Sequence, residues 1–309
     1  MNGKIGIVGV GVVGGYRKTW FESEGYKRGR SLFLRDFRKG YYDKLTEPDL
    51  IFISVCPPAK NPRKSTFLLV RSVIKKLPCR KVIVINSTLG IGHTLKLQNE
   101  FKHHSLFFNP EFIWMPDGFK NTIEPERQII APAIKSEQTK EMAMQILRLL
   151  PKAIKFESPS DEVFLSSTEA EIVKLFTNFY ISQQVDFSSL LYEVCQDMET
   201  YRKIMGTMLH DDRISPSHLI NPIHGGYVGW GGHCLIKDAY QLKNSLEGKE
   251  KKRVIASLSY NKAVLKGQGI TESEAALKKT SRHNGIKQKG GINSEQESDF
   301  RNNSSLGVG

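Results

Sequence analysis

Three observations predict an α/β fold, with a doubly wound, mostly parallel sheet followed by a long-helix α domain. Short β-rich runs alternate with helical stretches through the first half of the chain. A glycine-rich turn, GVGVVG at 9–14, stands directly after the first of those runs. From Ser166 to Met205 there is neither glycine nor proline, and apolar residues recur there at helical spacing.

The strand-like runs are Lys4–Val8, Ser31–Arg35, Leu50–Val55 and Lys81–Ile85, with fainter ones at Leu106–Phe108, Gln128–Ile130 and Ala153–Phe156. Helical stretches at Thr66–Lys76 and Glu137–Leu150 lie between them, the alternation expected of parallel strands joined by helices. In the second part, Ser166 with Glu169, and Thr168 with Glu171, each offer a capping-box start. Ile172, Leu175, Phe176 and Phe179, then Phe187, Leu190, Leu191, Val194 and Met198, mark one long helix or two nearly continuous ones. Shorter helices are expected over Leu235–Leu246 and Lys252–Lys266. Beyond Gly267 the chain turns polar and reads as a disordered tail. The division expected is therefore 1–160 for the sheet, 161–266 for the helical domain and 267–309 for the tail.

At 309 residues the chain has room for two packed domains. Its 39% hydrophobic and 25% charged residues are those of an ordinary soluble protein, and no run approaches the ~18 apolar residues of a membrane span. The first residues lack the apolar core and cleavage site of a signal peptide, so the expectation is cytoplasmic. The four cysteines, Cys56, Cys79, Cys195 and Cys234, are widely separated, which suggests neither a zinc site nor a disulfide framework. The net charge of +13 is spread along the chain rather than gathered into an aromatic-interleaved stripe, so it does not point to nucleic acid. A basic field also suits a small anion such as a nucleotide diphosphate.

In GVGVVG the first glycine, Gly9, permits the tight bend, Gly11 admits a pyrophosphate, and Gly14 lets the following helix pack on the strand. The helix N-terminus then faces the phosphate. Asp36 follows about twenty residues later, at the end of the second strand-like run, where a carboxylate can bind both ribose hydroxyls. Arg35 and Arg38 flank it and could accept a 2′-phosphate, so NAD and NADP both remain open. A purely structural glycine turn is the alternative.

GWGGHCLIKD, at 229–238, carries the chemistry at the other end. It sets Cys234 in a glycine-rich turn, with Lys237 and Asp238 within reach, the exposed and electropositive setting a nucleophilic thiol needs. His233 is adjacent to Cys234 and its side chain diverges from it. Lys174 and Asn178, four apart, project from one helix face away from Phe176 and Phe179, where they could stabilise an oxyanion. The alternative is a solvated face with a Glu171–Lys174 surface pair. Glu111 in NPEF and Thr88 in NST each follow a strand-like run, facing a cofactor crevice or serving as turn residues.

Taken in order, these pieces resemble the UDP-glucose/GDP-mannose dehydrogenase family. The match comprises GVGVVG at 9–14, VCPP at 55–58, NST at 86–88 and NPEF at 109–112, followed by Pro125 and Arg127. AEIVKLFTN at 170–178, DDRI at 211–214 and GWGGHCLIKD at 229–238 complete it. The resemblance implies a Rossmann-like cofactor domain and two hydride transfers to NAD that convert an alcohol to an acid. It makes Cys234 the nucleophile, through a thiohemiacetal and a thioester. Lys174 and Asn178 would stabilise the oxyanion, while Thr88, Glu111 and Asp238 handle water and protons. NAD would lie against Gly9, Gly11, Val12, Val13, Gly14, Asp36, Val55, Pro57 and Thr88. A nucleotide sugar would meet Glu111, Phe112, Lys174, Asn178 and Gly231, with Arg213 reaching it across a homodimer built on the long helix.

Four departures accompany the resemblance. Few residues follow Cys234, as in a short form lacking the family's C-terminal nucleotide-binding domain. Asp36 lies close to the next strand-like run at Leu50, as though a helix and a strand were missing. Met115 stands where a second glutamate is usual, and Ser189 and Leu190 replace an asparagine–glutamate pair. Two rival readings stay open: a β-hydroxyacid dehydrogenase making a single hydride transfer, and an inactive nucleotide-binding remnant or half of a split enzyme.

Overall fold

The computed structural model describes residues 3–58, 65–78, 80–113, 118–160 and 163–277. Its centre is a seven-stranded sheet of order β3-β2-β1-β4-β5-β6-β8. The chain enters through β1 (Ile5–Val8), crosses by α1 (Val12–Ser23) to β2 (Leu32–Asp36), and turns back as β3 (Tyr41–Tyr42). It then forms β4 (Leu50–Ile53), α2 (Thr66–Ile74), β5 (Val82–Ile85), α3 (His93–Glu100) and β6 (Ser105–Phe108). After α4 (Gly118–Ile123) come β7 (Arg127–Ile129), β8 (Ala131–Pro132), α5 (Glu137–Leu147) and β9 (Phe156–Ser158).

The pairs β1/β2, β1/β4, β4/β5 and β5/β6 are parallel, with Ile5 beside both Leu32 and Leu50. Both edges, β3 and β8, are antiparallel. Side chains alternate between the two faces of a strand. Ile51 and Ile53 of β4 therefore join one core with Val70, Ile74 and Leu97 of α2 and α3, while Leu50 and Phe52 join the other with Phe21 of α1 and Ile146 of α5. With both faces covered, each central strand reads as an unbroken apolar run. This is the doubly wound α/β architecture expected.

The short link between Asp36 and Leu50 holds a 3₁₀ turn at Phe37–Lys39, Gly40 in the left-handed region (φ 75°), and β3, with no α-helix. A hairpin thus closes this edge of the sheet where the spacing suggested missing elements. The strand expected at Ala153–Phe156 begins only at Phe156 and pairs with β7 in a separate two-stranded parallel sheet.

The second half is helical. The long Gly/Pro-free stretch divides into α6 (Ser167–Cys195) and α7 (Met198–Met208). Ser166 and Glu169 form the capping box at the start of α6. The break falls at Gln196, in the left-handed region (φ 64°), after which Asp197 caps α7 through the N–H groups of Glu199 and Thr200. A hairpin of β10 (Ile223–His224) and β11 (Tyr227–Val228) leads into α8 (Gly232–Ser245) and α9 (Gly248–Gly267). Leu175, Trp230, Ile236, Leu242, Val254 and Leu265 form the core of this half.

The chain stays ordered past the point where the sequence turns polar. Glu272–Leu277, within the stretch read as tail, form α10 and bury Ala275 and Ala276 in that core. The rest of that stretch, 278–309, lies outside the described residues, as do Cys79 and Met115.

Candidate active site

The strands β1, β4, β5 and β6 end together, and ligands of such sheets lie in the crevice beyond those ends. At β1 the turn bends through Gly9 (φ 86°) to Gly11, which caps α1 without a side chain. Val12 is exposed and Val13 half-buried at the first helical positions. A Cβ on Gly14 would stand 1.8 Å from the Gly9 carbonyl oxygen, so only glycine fits. Asp36 accepts the Val10 N–H (2.8 Å) on one carboxylate oxygen and the Arg38 N–H (3.0 Å) on the other. It is thereby held beside the glycine turn. Arg35 lies over the Phe37 ring, 4.9 Å from its centroid. Val55 packs against the core under the crevice, Pro57 is buried, and Thr88 is half-buried just past β5.

A polar network crosses these strand ends. Ser54 Oγ donates to Asn86 Oδ1 (3.3 Å), and Asn86 Nδ2 donates to Asn109 Oδ1 (2.7 Å) and Glu111 Oε1 (3.3 Å). Arg17 of α1, fully buried, donates to Asn109 Oδ1 (3.1 Å) and forms an ion pair with Glu111. Phe112, the next residue, has Arg127 3.8 Å and Lys174 5.2 Å from its ring centroid. The lysine singled out in the sequence therefore stands over the ring of the residue that follows Glu111.

On α6 the burial is inverted relative to a solvated polar face. Glu171, Lys174 and Asn178 are buried, whereas Ile172 and Phe176 are exposed. Glu171 does not pair with Lys174. It accepts the Gly92 N–H (2.6 Å), the Thr94 N–H (2.8 Å) and the Thr94 hydroxyl (2.6 Å), capping α3 from outside. The second capping box expected of it, with Thr168, is therefore not formed. Burial pushes the Glu171 carboxyl up to about 7, against the pull of those bonds.

Helices α6 and α8 run antiparallel. Glu171 and Ser245 both meet the 91–94 turn, Asn178 meets Asp238, and Asp186 meets Trp230. Asn178 Nδ2 donates to Asp238 Oδ2 at 2.5 Å. Asp238 also pairs with Lys237, both of them buried. Burial alone would lower the Lys237 ammonium. The Asp238 carboxylate, with the Cys56 and Cys234 sulfurs, outweighs it and holds that pKa above its ordinary value. Both thiols are thus within electrostatic range of one buried cation.

Cys234 is exposed and occupies the first turn of α8 rather than the loop the glycines suggest. That turn is the positive end of the helix macrodipole. The preceding loop is clamped from three sides. Trp230 donates Nε1–H to Asp186 (2.7 Å), and its backbone exchanges bonds with Asn261 at 2.9 Å each way. Gly231 packs so tightly that a Cβ there would stand 1.8 Å from the Tyr227 hydroxyl oxygen. Four residues of helix rise about 6 Å, so Lys174 and Cys234 lie about 12 Å apart along the axes, one turn to either side of the Asn178–Asp238 bond. The two are therefore separated by about two helical turns and do not touch.

Arg213 is exposed and pairs with Asp211 (2.5 Å) in the loop after α7; among the described residues it bonds none of the other site residues. Ser189 is buried and bonds the Val185 carbonyl, while Leu190 is exposed. Arg17, Asp186 and Asn261 escaped sequence reasoning. In the sequence Asn86 stands in the NST motif without a role of its own, and Glu171 reads as a capping residue or a surface partner of Lys174.

The fold joins a doubly wound sheet to a helical half, with Lys174 of α6 over Phe112 and Asn178 of α6 bonded to Asp238 of α8. Residues 168–263 match the family model described as UDP-glucose/GDP-mannose dehydrogenase family, central domain. The chain is 29% identical over 186 residues to a UDP-glucose 6-dehydrogenase of Streptococcus pneumoniae, covering 58% of this chain and 44% of that one. It is also 29% identical over 199 residues to one from Campylobacter jejuni, covering 62% and 47% respectively. The chain thus spans less than half the length of these relatives. Among solved structures it is similar in fold to a UDP-glucose dehydrogenase from Pyrobaculum islandicum (TM-score 0.62, 19% identity, 84% of this chain and 68% of that one). A UDP-D-ManNAc dehydrogenase from Pyrococcus horikoshii is equally similar in fold (TM-score 0.62, 18% identity, 85% and 70%).

Proposed function

We propose that this chain oxidises the primary alcohol of a nucleotide sugar, of the UDP-glucose kind, to a carboxylate with NAD, through a covalent bond to Cys234. The observation that carries the reading is the Asn178–Asp238–Lys237 cluster, one helical turn from an exposed cysteine and beside a dinucleotide crevice.

The residues present fit a dinucleotide. The uncapped start of α1, the open space beside Gly11, where a Cβ would meet nothing within 4 Å, and the Asp36 carboxylate at the end of β2 are the features a pyrophosphate and a ribose require. Gly9, Gly11, Val12, Val13, Gly14, Asp36, Val55, Pro57 and Thr88 would hold it. When bound, the nicotinamide accepts one hydride in each of two oxidations. Asp36 favours NAD, since a 2′-phosphate would meet its carboxylate and Arg35 is engaged with Phe37.

The chain's own groups do the rest. A base, Asp238 or Glu111, takes the alcohol proton as the first hydride leaves, giving an aldehyde. The Cys234 sulfur adds to the carbonyl carbon to give a thiohemiacetal, and Lys174 and Asn178 stabilise the oxyanion. Loss of the second hydride and the hydroxyl proton gives a thioester. Water, oriented by Thr88 and Glu111, cleaves it to the carboxylate and returns the thiol. Phe112 and Gly231 would contact the sugar.

The exposed apolar residues Ile172, Phe176, Phe187, Leu190 and Val194 on α6 support a homodimer through that helix, in which Arg213 would serve the partner's site. Two NADH per acid formed, with acid formation abolished in Cys234→Ser, are the expected results. One NADH per substrate would instead favour a single-step hydroxyacid oxidation, and acid made by the serine variant at the wild-type rate would remove the covalent mechanism.

A further inference from the structure

Resting on the function proposed above, we propose that Arg17 is a positioning residue, tying the cofactor-binding helix to the Glu111 carboxylate so that the proton and water steps find it correctly aimed.

Arg17 lies in the middle of α1, the helix whose N-terminus forms the phosphate side of the crevice, and it is 1% exposed. Its Nη2 donates to Asn109 Oδ1 and to Glu111 Oε1, whereas Nε and Nη1 are buried without a protein acceptor. Among the described residues Glu111 is its only ion-pair partner. A buried ion pair is a weak way to stabilise a fold, because desolvation consumes most of the attraction. An apolar side chain against Phe52, over whose ring the guanidinium lies at 5.4 Å, would fill the same place at lower cost. The geometry therefore points to a role beyond packing.

Glu111 shows what that role is. Its Oε1 receives bonds from two elements, Arg17 of α1 and Asn86 after β5, while Oε2 accepts from no described residue. With one oxygen pinned, a planar carboxylate presents the other in a fixed direction. Asn86 and Asn109 brace the pin, and Asn109 is held by the Ile129 carbonyl at 2.9 Å. Arg17 is the member of this network on α1. Any displacement of α1 on binding a pyrophosphate would be carried by Arg17 to Glu111, the residue before Phe112, whose ring Lys174 faces.

The test uses the wild-type protein with NAD and UDP-glucose, alongside Arg17→Leu, Arg17→Lys, Glu111→Gln and the double variant Arg17→Leu/Glu111→Gln. Melting curves and NAD affinity by calorimetry are measured with kcat and KM. A misaimed catalytic group costs on the order of tenfold to a hundredfold in rate. Arg17→Leu is expected to lower kcat by at least about tenfold, with KM for the sugar and NAD affinity within about twofold. Arg17→Lys should regain part of kcat. Once Glu111 is glutamine, removing Arg17 should cost nothing further, because both changes act through one group. A folded Arg17→Leu with wild-type kcat overturns the proposal, as does a fully multiplicative loss in the double variant. If the leucine variant does not fold, the same cycle with Arg17→Lys decides by the same criteria. A wild-type protein that forms no NADH with any nucleotide sugar overturns the functional reading along with this one; an active wild type with an indifferent Arg17 removes this one alone.

Discussion

Replacing Glu171 with glutamine should change the pH dependence of stability in a way that fixes its sign and size. The carboxyl is fully buried between α6 and the start of α3, and burial pushes it up to about 7 from an ordinary 4.5. A raised carboxyl favours the protonated native state. The stabilisation is complete below the unfolded value and is lost as pH rises towards 7. Each unit is worth about 1.4 kcal/mol, so the whole shift is about 3 kcal/mol, of which about 2.5 falls between pH 5 and pH 8. His93, on α3 and itself lowered by burial and by Lys96, titrates nearby in both proteins and cancels in the comparison. Urea unfolding of wild type and Glu171→Gln at pH 5 and pH 8 gives the difference directly. Glutamine cannot accept from both Thr94 and Gly92 with its two ends, so it should be the less stable protein at pH 5 by about 1 kcal/mol. By pH 8 the order should reverse. Parallel profiles for the two proteins would mean that Glu171 stays ionised throughout, and that its three bonds outweigh its burial.

Two further outcomes test the remaining parts. Asp238→Asn leaves the Lys237 ammonium buried without its carboxylate, which should cost about 3–5 kcal/mol of unfolding free energy; unchanged stability would show that the pair is solvated. Leu190→Arg puts a charge in the middle of the exposed apolar stripe of α6 and should give a monomer by sedimentation equilibrium, whereas a persistent dimer would place the interface elsewhere.

Much of the sheet was legible because strands buried on both faces must be apolar throughout. β1, β2, β4, β5 and β6 each fall within a residue or two of the runs read from the sequence. β3 and β8 were not legible. Each is two residues long and held at an edge by its neighbour, so no pattern of its own marks it. Cys234 was read as part of a turn because GWGG breaks helices, yet α8 starts at Gly232. Glycines specify the bend into a helix without showing where the helix begins. The Arg17–Glu111 pair joins residues far apart in sequence, and only the folded sheet brings α1 against the end of β6. The Asn178–Asp238 bond is equally long-range. Resemblance singled out its two ends, but no local pattern could pair them.

The reversed faces of α6 carry the deepest point. Ser167, Glu171, Lys174, Asn178, Ser182, Val185 and Ser189 recur at helical spacing, and every one is buried. Ile172, Phe176, Tyr180, Phe187, Leu190 and Val194 trace a second stripe, and every one is exposed. Periodicity reports which face is apolar, and the usual step from apolar to covered holds only when a helix has one neighbour. Here the polar stripe is covered because its carboxylate and amide find donors and acceptors on α3 and α8, while the Lys174 ammonium lies over Phe112. That removes the stripe from water without stranding a charge. This 29-residue helix satisfies its polar stripe within the chain, buries Leu175 and Val185 in the core and leaves a further apolar stripe exposed. The inner face carries Lys174 and Asn178, and the outer stripe is the surface on which the proposed homodimer would form.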